Sequence, residues 1–314
     1  MNPLATIYGG IVAARNALYD RRWRRARRLI GPVVSIGNLC VGGSGKTPFV
    51  LCLGELLKAR GVKFDVLSRG YGRKSRGVLL VDPAGLPQDY GDEPLLIARK
   101  LQVPVVVGES RFEAGRFAEN RFGPQLHLLD DGFQHRALAR DFDIVLIAES
   151  DLTDRLLPAG RQREPLSSLR RADAIVVTGD ITSDLLPVSG KFVWRLRRGL
   201  VPASFPARAV VFCGIARPQN FIAQLQQACV LPVAEAFYRD HHTYTEKDIR
   251  ELLDLKQRTG ADGFVTTEKD AVNLGGYLNA LQPLGVAQVE TDLDDAANVV
   301  DTILRTIREP NRQP

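Results

Sequence analysis

An α/β fold, with a mostly parallel sheet and helices on both faces, is what this sequence predicts, and three observations predict it. Short runs rich in β-branched residues alternate with segments of helix length from Pro32 onward. Several of those runs are apolar throughout instead of alternating, as strands covered on both faces must be. A glycine-rich turn separates the first run from the first helical segment. The chain has 314 residues, 45% of them hydrophobic and 25% charged, which favours two domains and excludes a collagen-like or wholly disordered chain.

The elements follow in order. Leu4, Ile7, Tyr8, Ile11 and Val12 fall at helical spacing, and Leu18 and Tyr19 extend the stripe, so residues 1–30 are expected to hold an amphipathic helix. Six arginines around Trp23, from Arg21 to Arg28, then form a cationic collar. Such a segment suits an anionic membrane surface, an ordinary docked helix, or a nucleic-acid arm. The net charge of +6 resides in residues 1–28, where seven arginines face Asp20, and the rest of the chain is balanced. A nucleic-acid footprint spread over the protein is therefore not indicated. The uncharged run Asn2–Ala14 is 13 residues, too short to span a bilayer. Its basic cluster also follows the apolar part, the reverse of a signal peptide. Four cysteines without CxxC spacing fit a reducing, cytoplasmic setting.

Buried strands are expected at Val33–Ile36, Phe64–Leu67, Val103–Val107, Leu126–Asp130, Ile144–Ile147 and Ala174–Thr178, with helices at Thr47–Arg60, Glu93–Lys100 and Arg111–Arg121. Lys191–Arg198 alternates, with Phe192, Trp194 and Leu196 on one side, and is followed by Gly199 and Pro202, which suits an extended linker or hairpin. A second βα pattern comprises strands at Ala209–Cys213, Val233–Phe237 and Gly263–Thr266, and helices at Pro218–Ala228, Thr245–Thr259 and Asp294–Ile307. The expected division is a core domain over 31–190, a β linker over 191–205 and a smaller α/β domain over 206–314 that closes the site.

After the first strand comes Cys40-Val41-Gly42-Gly43-Ser44-Gly45-Lys46-Thr47-Pro48, then an apolar helix. A strand, a glycine-rich turn ending Gly-Lys-Thr and a helix make a phosphate-binding loop, so the fold expected is P-loop NTPase-like. Glycines let backbone N–H groups turn toward phosphates, Lys46 reaches the β and γ phosphates, and the Thr47 hydroxyl suits Mg²⁺. Pro48 fits the first helical turn, whose N–H groups lack intrahelical partners. The strict loop pattern has glycine where this chain has Cys40.

Leu126–Asp130 runs into Asp131, placing two carboxylates at a strand's C-terminal end, where P-loop enzymes orient Mg²⁺. Asp130 and Asp131 are both candidate metal residues, and the competing reading is a turn at Asp131-Gly132. His135 fits a pocket or a turn equally. Asp92, in Gly91-Asp92-Glu93-Pro94, is by default a helix cap. His241 and His242 lack HExxH spacing or cysteine partners, so zinc is not expected, while a cleft histidine working with a carboxylate remains open.

Taken together, Gly42–Pro48, Ser68-Arg69-Gly70-Tyr71-Gly72, Gly91–Pro94, Asp130–His135, Leu157-Pro158-Ala159-Gly160 with Arg163-Glu164, Asp240-His241 and Thr267-Glu268-Lys269-Asp270-Ala271 closely resemble the tetraacyldisaccharide 4′-kinase family of Gram-negative bacteria. The likeness runs in order over residues 1–272, and that family's loop also lacks the first glycine. The resemblance implies ATP- and Mg²⁺-dependent phosphorylation of the 4′-hydroxyl of the lipid A disaccharide precursor. It also implies a peripheral enzyme on the anionic cytoplasmic face of the inner membrane, expected here to be a monomer. It implies that Asp92 and His241 form a catalytic dyad between domains, and it makes Arg163 and Glu164 candidates for contacts with nucleotide, metal or headgroup. The alternative is a P-loop ATPase of the membrane-partitioning or metal-insertion type, which usually has a lysine where this chain has Val41. No Asn-Lys-x-Asp run is present to read guanine.

Overall fold

The structure, a computed structural model, describes residues 3–43, 45–179, 181, 186, 190–201 and 205–309. Its elements in chain order are α1 (Pro3–Asp20), β1 (Val33–Asn38), α2 (Lys46–Ala59), β2 (Phe64–Ser68), β3 (Leu79–Leu80), α3 (Pro87–Tyr90), α4 (Asp92–Leu101), β4 (Val105–Val107), α5 (Arg111–Phe122), β5 (Leu126–Asp130) and β6 (Phe142–Ala148). There follow α6 (Glu149–Leu152), β7 (Ala174–Thr178), β8 (Phe192–Leu200), β9 (Ala209–Cys213), α7 (Pro218–Gln227), β10 (Ala234–Phe237), α8 (Glu246–Thr259), β11 (Gly263–Thr267), α9 (Glu268–Leu274), β12 (Leu284–Ala287), β13 (Val289–Leu293) and α10 (Ala296–Arg308).

Among the described residues, nine strands form one sheet in the order β13-β8-β7-β6-β1-β5-β2-β4-β3. Its pairs are parallel except at the two edges, where β3 runs antiparallel to β4 and β13 antiparallel to β8. Strands β1, β2, β4, β5, β6 and β7 are buried along their whole length. That is why they read as mostly apolar runs instead of strictly alternating ones: Phe49, Leu53 and Leu57 of α2, Leu95 of α4 and Val299 and Ile303 of α10 cover one face. Phe112, Ala114 and Ala118 of α5 cover the other, beside Leu29 and Leu138. The expected strand at Val103 begins two residues later, because Pro104 lacks an N–H to give to a ladder and instead accepts from the Val66 N–H through its carbonyl.

The smaller sheet has the order β10-β9-β11-β12 and is parallel throughout. Two expectations are corrected here. The segment over 191–205 was expected as a β linker between two domains; β8 is such a strand, but it pairs in parallel with β7 over Ala174–Thr178 and so belongs to the large sheet. Its apolar side explains this, since Trp194 and Leu196 join the main core. Residues 206–314 were expected as one unit, yet β13 pairs with β8, and α10 packs on the large sheet through Val299, Val300 and Ile303. The smaller domain therefore leaves and re-enters the large one along adjacent strands.

Helix α1 is two-sided. Val12 and Asn16 are buried, and the Tyr8 hydroxyl donates to the Arg163 carbonyl at 3.1 Å. Leu4, Ile7 and Ile11, from the same predicted stripe, are 60–63% exposed. Among the described residues no helix is long and apolar enough to cross a membrane.

Candidate active site

Central strand β1 lies between β5 and β6, and a cleft of about 660 Å³ opens where β1 and β5 end. Open α/β sheets bind ligands at such strand ends. The chain leaves β1 through Gly42, Gly43 and Gly45, with φ values of 72°, 59° and 84°. Only glycine takes this succession of left-handed positions without strain, and it turns the loop around the N-terminus of α2, with its unpaired N–H groups. Val41, Gly42, Gly43, Gly45, Lys46 and Thr47 line the cleft. Ser44 lies outside the described residues. Cys40, expected with them, is fully buried, and burial followed by the charge of nearby Asp151 pushes its thiol up to about 12. Its backbone bridges to Gln162 behind the loop, so the side chain faces the protein instead of a nucleotide.

Lys46 Nζ reaches Asn38 Oδ1 at 3.2 Å and Asp131 Oδ1 at 3.5 Å. Arg163 grips both oxygens of Asp131, at 2.8 and 2.7 Å. Burial alone would raise the Asp131 pKa, but Lys46 and Arg163 outweigh it and hold the carboxyl well below its usual range. Asp130 differs. Ser68 Oγ donates to its Oδ2 at 3.1 Å, while Oδ1 is buried without a hydrogen-bond partner. Burial, then the negative charges of Glu93 and Asp131, push this carboxyl up to about 7. An orphaned carboxylate oxygen aligned with a phosphate loop suits a Mg²⁺ ion, which takes few protein ligands and completes its shell with phosphate and water. No cluster of three or more His, Cys, Asp or Glu residues able to hold a metal occurs among the described residues.

Across the cleft, Gly91 has φ 93°, and Asp92 opens α4, 4% exposed. His241 Nδ1 lies 3.0 Å from both carboxylate oxygens of Asp92. Asn273 Nδ2 donates to Oδ2 at 3.1 Å, and the Glu93 N–H to Oδ1 at 2.8 Å. Burial opposes ionisation of Asp92, yet the His241 hydrogen bond and Lys269 lower its pKa. For His241 burial disfavours the charged form, but Asp92 reverses this and raises its pKa. Lys269 Nζ sits 3.3 Å from His241 Nε2, 3.0 Å from Asp240 Oδ1 and 3.4 Å from Glu93 Oε1. With Nδ1–H given to Asp92, the Nε2 lone pair of the neutral ring accepts from the ammonium, so the two partners select one tautomer. His241 itself has φ 59°, a strained position for a non-glycine residue, and its ring centroid lies 4.9 Å from that of Tyr71.

The Asp92–His241 pairing thus joins the start of α4 to the segment between β10 and α8. Glu164 does not reach the cleft. It is 1% exposed, and its Oε2 accepts from Arg171 at 2.8 Å and from Asn16 of α1 at 2.9 Å. His135 lies among Arg111, Arg140, Arg15 and Arg69, and burial, followed by those charges, lowers its pKa to about 4. Lys269, Asn273 and Glu93 were assigned no role from sequence. The Thr267–Ala271 run was noticed, but which of its residues faced the cleft needed the start of α9, set by the Thr267 hydroxyl accepting from the Asp270 N–H at 3.1 Å.

Comparison with known proteins agrees with this geometry. The family model described as tetraacyldisaccharide-1-P 4′-kinase matches residues 1–308. A protein of Koribacter versatilis named tetraacyldisaccharide 4′-kinase is 49% identical over 98% of each chain. One of the same name from Aquifex aeolicus is 37% identical over 88% of this chain and 90% of its own. The crystal structure of the "apo" form of LpxK from Aquifex aeolicus in complex with ATP superposes with a TM-score of 0.78 at 34% identity, covering 97% of this chain and 98% of that one. Whole-length matches of this kind leave one assignment: the chain belongs to the tetraacyldisaccharide 4′-kinase family.

Proposed function

We propose that the protein transfers the γ-phosphoryl group of ATP to the 4′-hydroxyl of the tetraacyldisaccharide 1-phosphate precursor of lipid A. The observation that carries this reading is the Asp92–His241 pair, held 3.0 Å apart across the same cleft that the phosphate loop opens into.

A sugar hydroxyl is a weak acid and loses its proton late in transfer. Asp92 is buried yet kept ionised by His241 and Lys269, so it is a base available at neutral pH. His241 orients the carboxylate through Nδ1, and Lys269 holds the other edge of the ring. Lys46 carries positive charge to the β and γ phosphates, with Asp131 and Asn38 fixing its direction. Mg²⁺, when bound, neutralises charge on the phosphate oxygens, and Thr47 and the free Oδ1 of Asp130 are the groups that would hold it, with Asp131 committed to Lys46 and Arg163. Arg69 lines the cleft and so offers a cation to a phosphorylated headgroup.

We place the enzyme peripherally on the cytoplasmic face of the inner membrane, as a monomer. The exposed stripe Leu4, Ile7 and Ile11, with Trp23 73% exposed among arginines, supports attachment. The test is incubation with γ-labelled ATP and a tetraacyldisaccharide 1-phosphate acceptor. Label in the lipid supports the reading; label released only as orthophosphate refutes it.

A further inference from the structure

Four arginines, Arg195, Arg197, Arg198 and Arg217, line a second cavity of about 450 Å³ that shares Arg198 and Arg217 with the cleft. Three of them are engaged. Arg195 donates to the carbonyls of Gly179 and Ile181, at 2.5 and 2.9 Å. Arg197 pairs with Asp294 at 3.2 Å. Arg217, from the smaller domain, donates to Ser150 Oγ at 3.0 Å and pairs with Asp151 at 2.9 Å. Arg198 is the exception: among the described residues no carboxylate or carbonyl takes its guanidinium.

Its position is specific. Arg198 lies on β8 opposite Thr291 of β13 and lines both cavities. Its Nη1 stands 2.5 Å from where a side chain on Gly45 would begin, and Cζ 3.0 Å, so the guanidinium rests on the residue just before Lys46. Burial, and then the like charge of Arg217, lower its pKa, so the charged form is held here at a cost; Glu149 lines the same cavity, but among the described residues no carboxylate forms an ion pair with Arg198. A partly buried, unpaired guanidinium beside backbone N–H groups is a site waiting for a multiply charged oxyanion, which it can grip with two parallel N–H bonds.

We propose that Arg198 binds the polyphosphate chain of the nucleotide, supplying from β8 a second cation on the opposite side of the loop from the pairing of Lys46 with Asp131. The inference deepens the kinase reading and rests on its nucleotide site. Because β8 joins the large sheet to the smaller domain, the contact also ties the connecting strand to nucleotide occupancy.

The experiment compares the full-length protein with Arg198→Gln and Arg198→Lys, measuring affinity for MgATP and for adenosine by calorimetry, with melting temperatures of the nucleotide-free proteins. A lost pair of charge-assisted bonds predicts that Arg198→Gln weakens MgATP by roughly 10–100-fold, leaves adenosine unchanged, and melts no lower than the unsubstituted protein. Arg198→Lys should recover part of the affinity. Unchanged MgATP affinity overturns the proposal, as does an equal loss for adenosine, which would put the contact on the nucleoside. A lowered melting temperature with both affinities intact would make Arg198 structural. If the unsubstituted protein binds no MgATP, the kinase reading falls and this inference with it; if it binds and Arg198→Gln binds equally, only the inference falls.

Discussion

Replacing Asp92 by asparagine preserves the volume at the head of α4 and removes one negative charge. The carboxylate receives His241 at 3.0 Å, Asn273 at 3.1 Å and the Glu93 N–H at 2.8 Å. An amide oxygen can keep part of this set, so the local fold should survive, but it cannot take a proton from an incoming hydroxyl. Loss of a general base costs about 10²–10⁴ in rate. At about 1.36 kcal/mol per tenfold, this is roughly 3–5 kcal/mol on the barrier. The His241 ring, deprived of its carboxylate and still facing Lys269, should titrate lower than in the unsubstituted protein. The assay is single-turnover transfer of label from γ-labelled ATP to acceptor, with calorimetry for MgATP and NMR titration of His241. The expected result is a lowered rate, unchanged MgATP affinity and a downward shift of the His241 midpoint. A rate within about threefold of normal would remove Asp92 from proton transfer; an unshifted His241 would remove the coupling on which its positioning rests.

Elsewhere in the fold, His127 of β5 is fully buried between Asp65 at 2.8 Å and Glu119 at 3.4 Å, so His127→Leu takes the imidazole from two carboxylates that keep Gln125 and the Ile30 and Gly31 N–H groups, and should cost about 3 kcal/mol in urea unfolding. Burial opposes its charge, but Asp65 and Glu119 raise its pKa above 6.5, so the stability it contributes is complete below pH 6.5 and is lost as pH rises through the folded value. A deficit that grows with rising pH would contradict this. A side chain on Gly37 would meet the Phe133 backbone nitrogen at 2.9 Å and its Cβ at 2.5 Å; Gly37→Ala should cost about 1–3 kcal/mol and displace the Asp130–Phe133 turn, and a variant of normal melting temperature and activity would show that the turn yields freely. Replacing Leu4, Ile7 and Ile11 by serine removes exposed apolar surface alone, so partition onto anionic vesicles should fall by at least about 100-fold with the melting temperature unchanged, and undiminished binding would exclude the stripe as the anchor.

What the sequence made legible follows from period and local chemistry. Leu126–Asp130, Ala174–Thr178 and Ala209–Cys213 were read to the residue because each is a short, mostly apolar run bounded by polar or turn residues. The phosphate loop was legible because Gly42, Gly43 and Gly45 directly precede Lys46 and Thr47. Long-range partnership was not legible. Nothing in Val289–Leu293, which alternates like many edge strands, says that it leaves the smaller domain to pair with β8. The division of labour between Asp130 and Asp131 depends on Ser68, Arg163 and Lys46, which lie 62, 32 and 85 positions away from the carboxylates they touch. Adjacency also misled: Glu164 follows Arg163, yet successive side chains diverge, one toward Asp131 and the other toward Arg171 and α1. Cys40 shared a loop with cleft residues but points behind it. Without the family resemblance Asp92 would have stayed a helix cap, since its partner is 149 positions away.

The central claim is that the glycine-lined loop and the Asp92–His241 pair act on one phosphoryl group as it passes from ATP to a sugar oxygen. Phosphorus–proton correlation NMR of the lipid recovered after reaction with MgATP measures this directly. A new phosphorus resonance coupled to the proton at carbon 4′, absent when Asp92→Asn or Lys46→Ala replaces the unsubstituted protein, is the predicted result. An ester at another position, or free orthophosphate with the disaccharide unmodified, would contradict it.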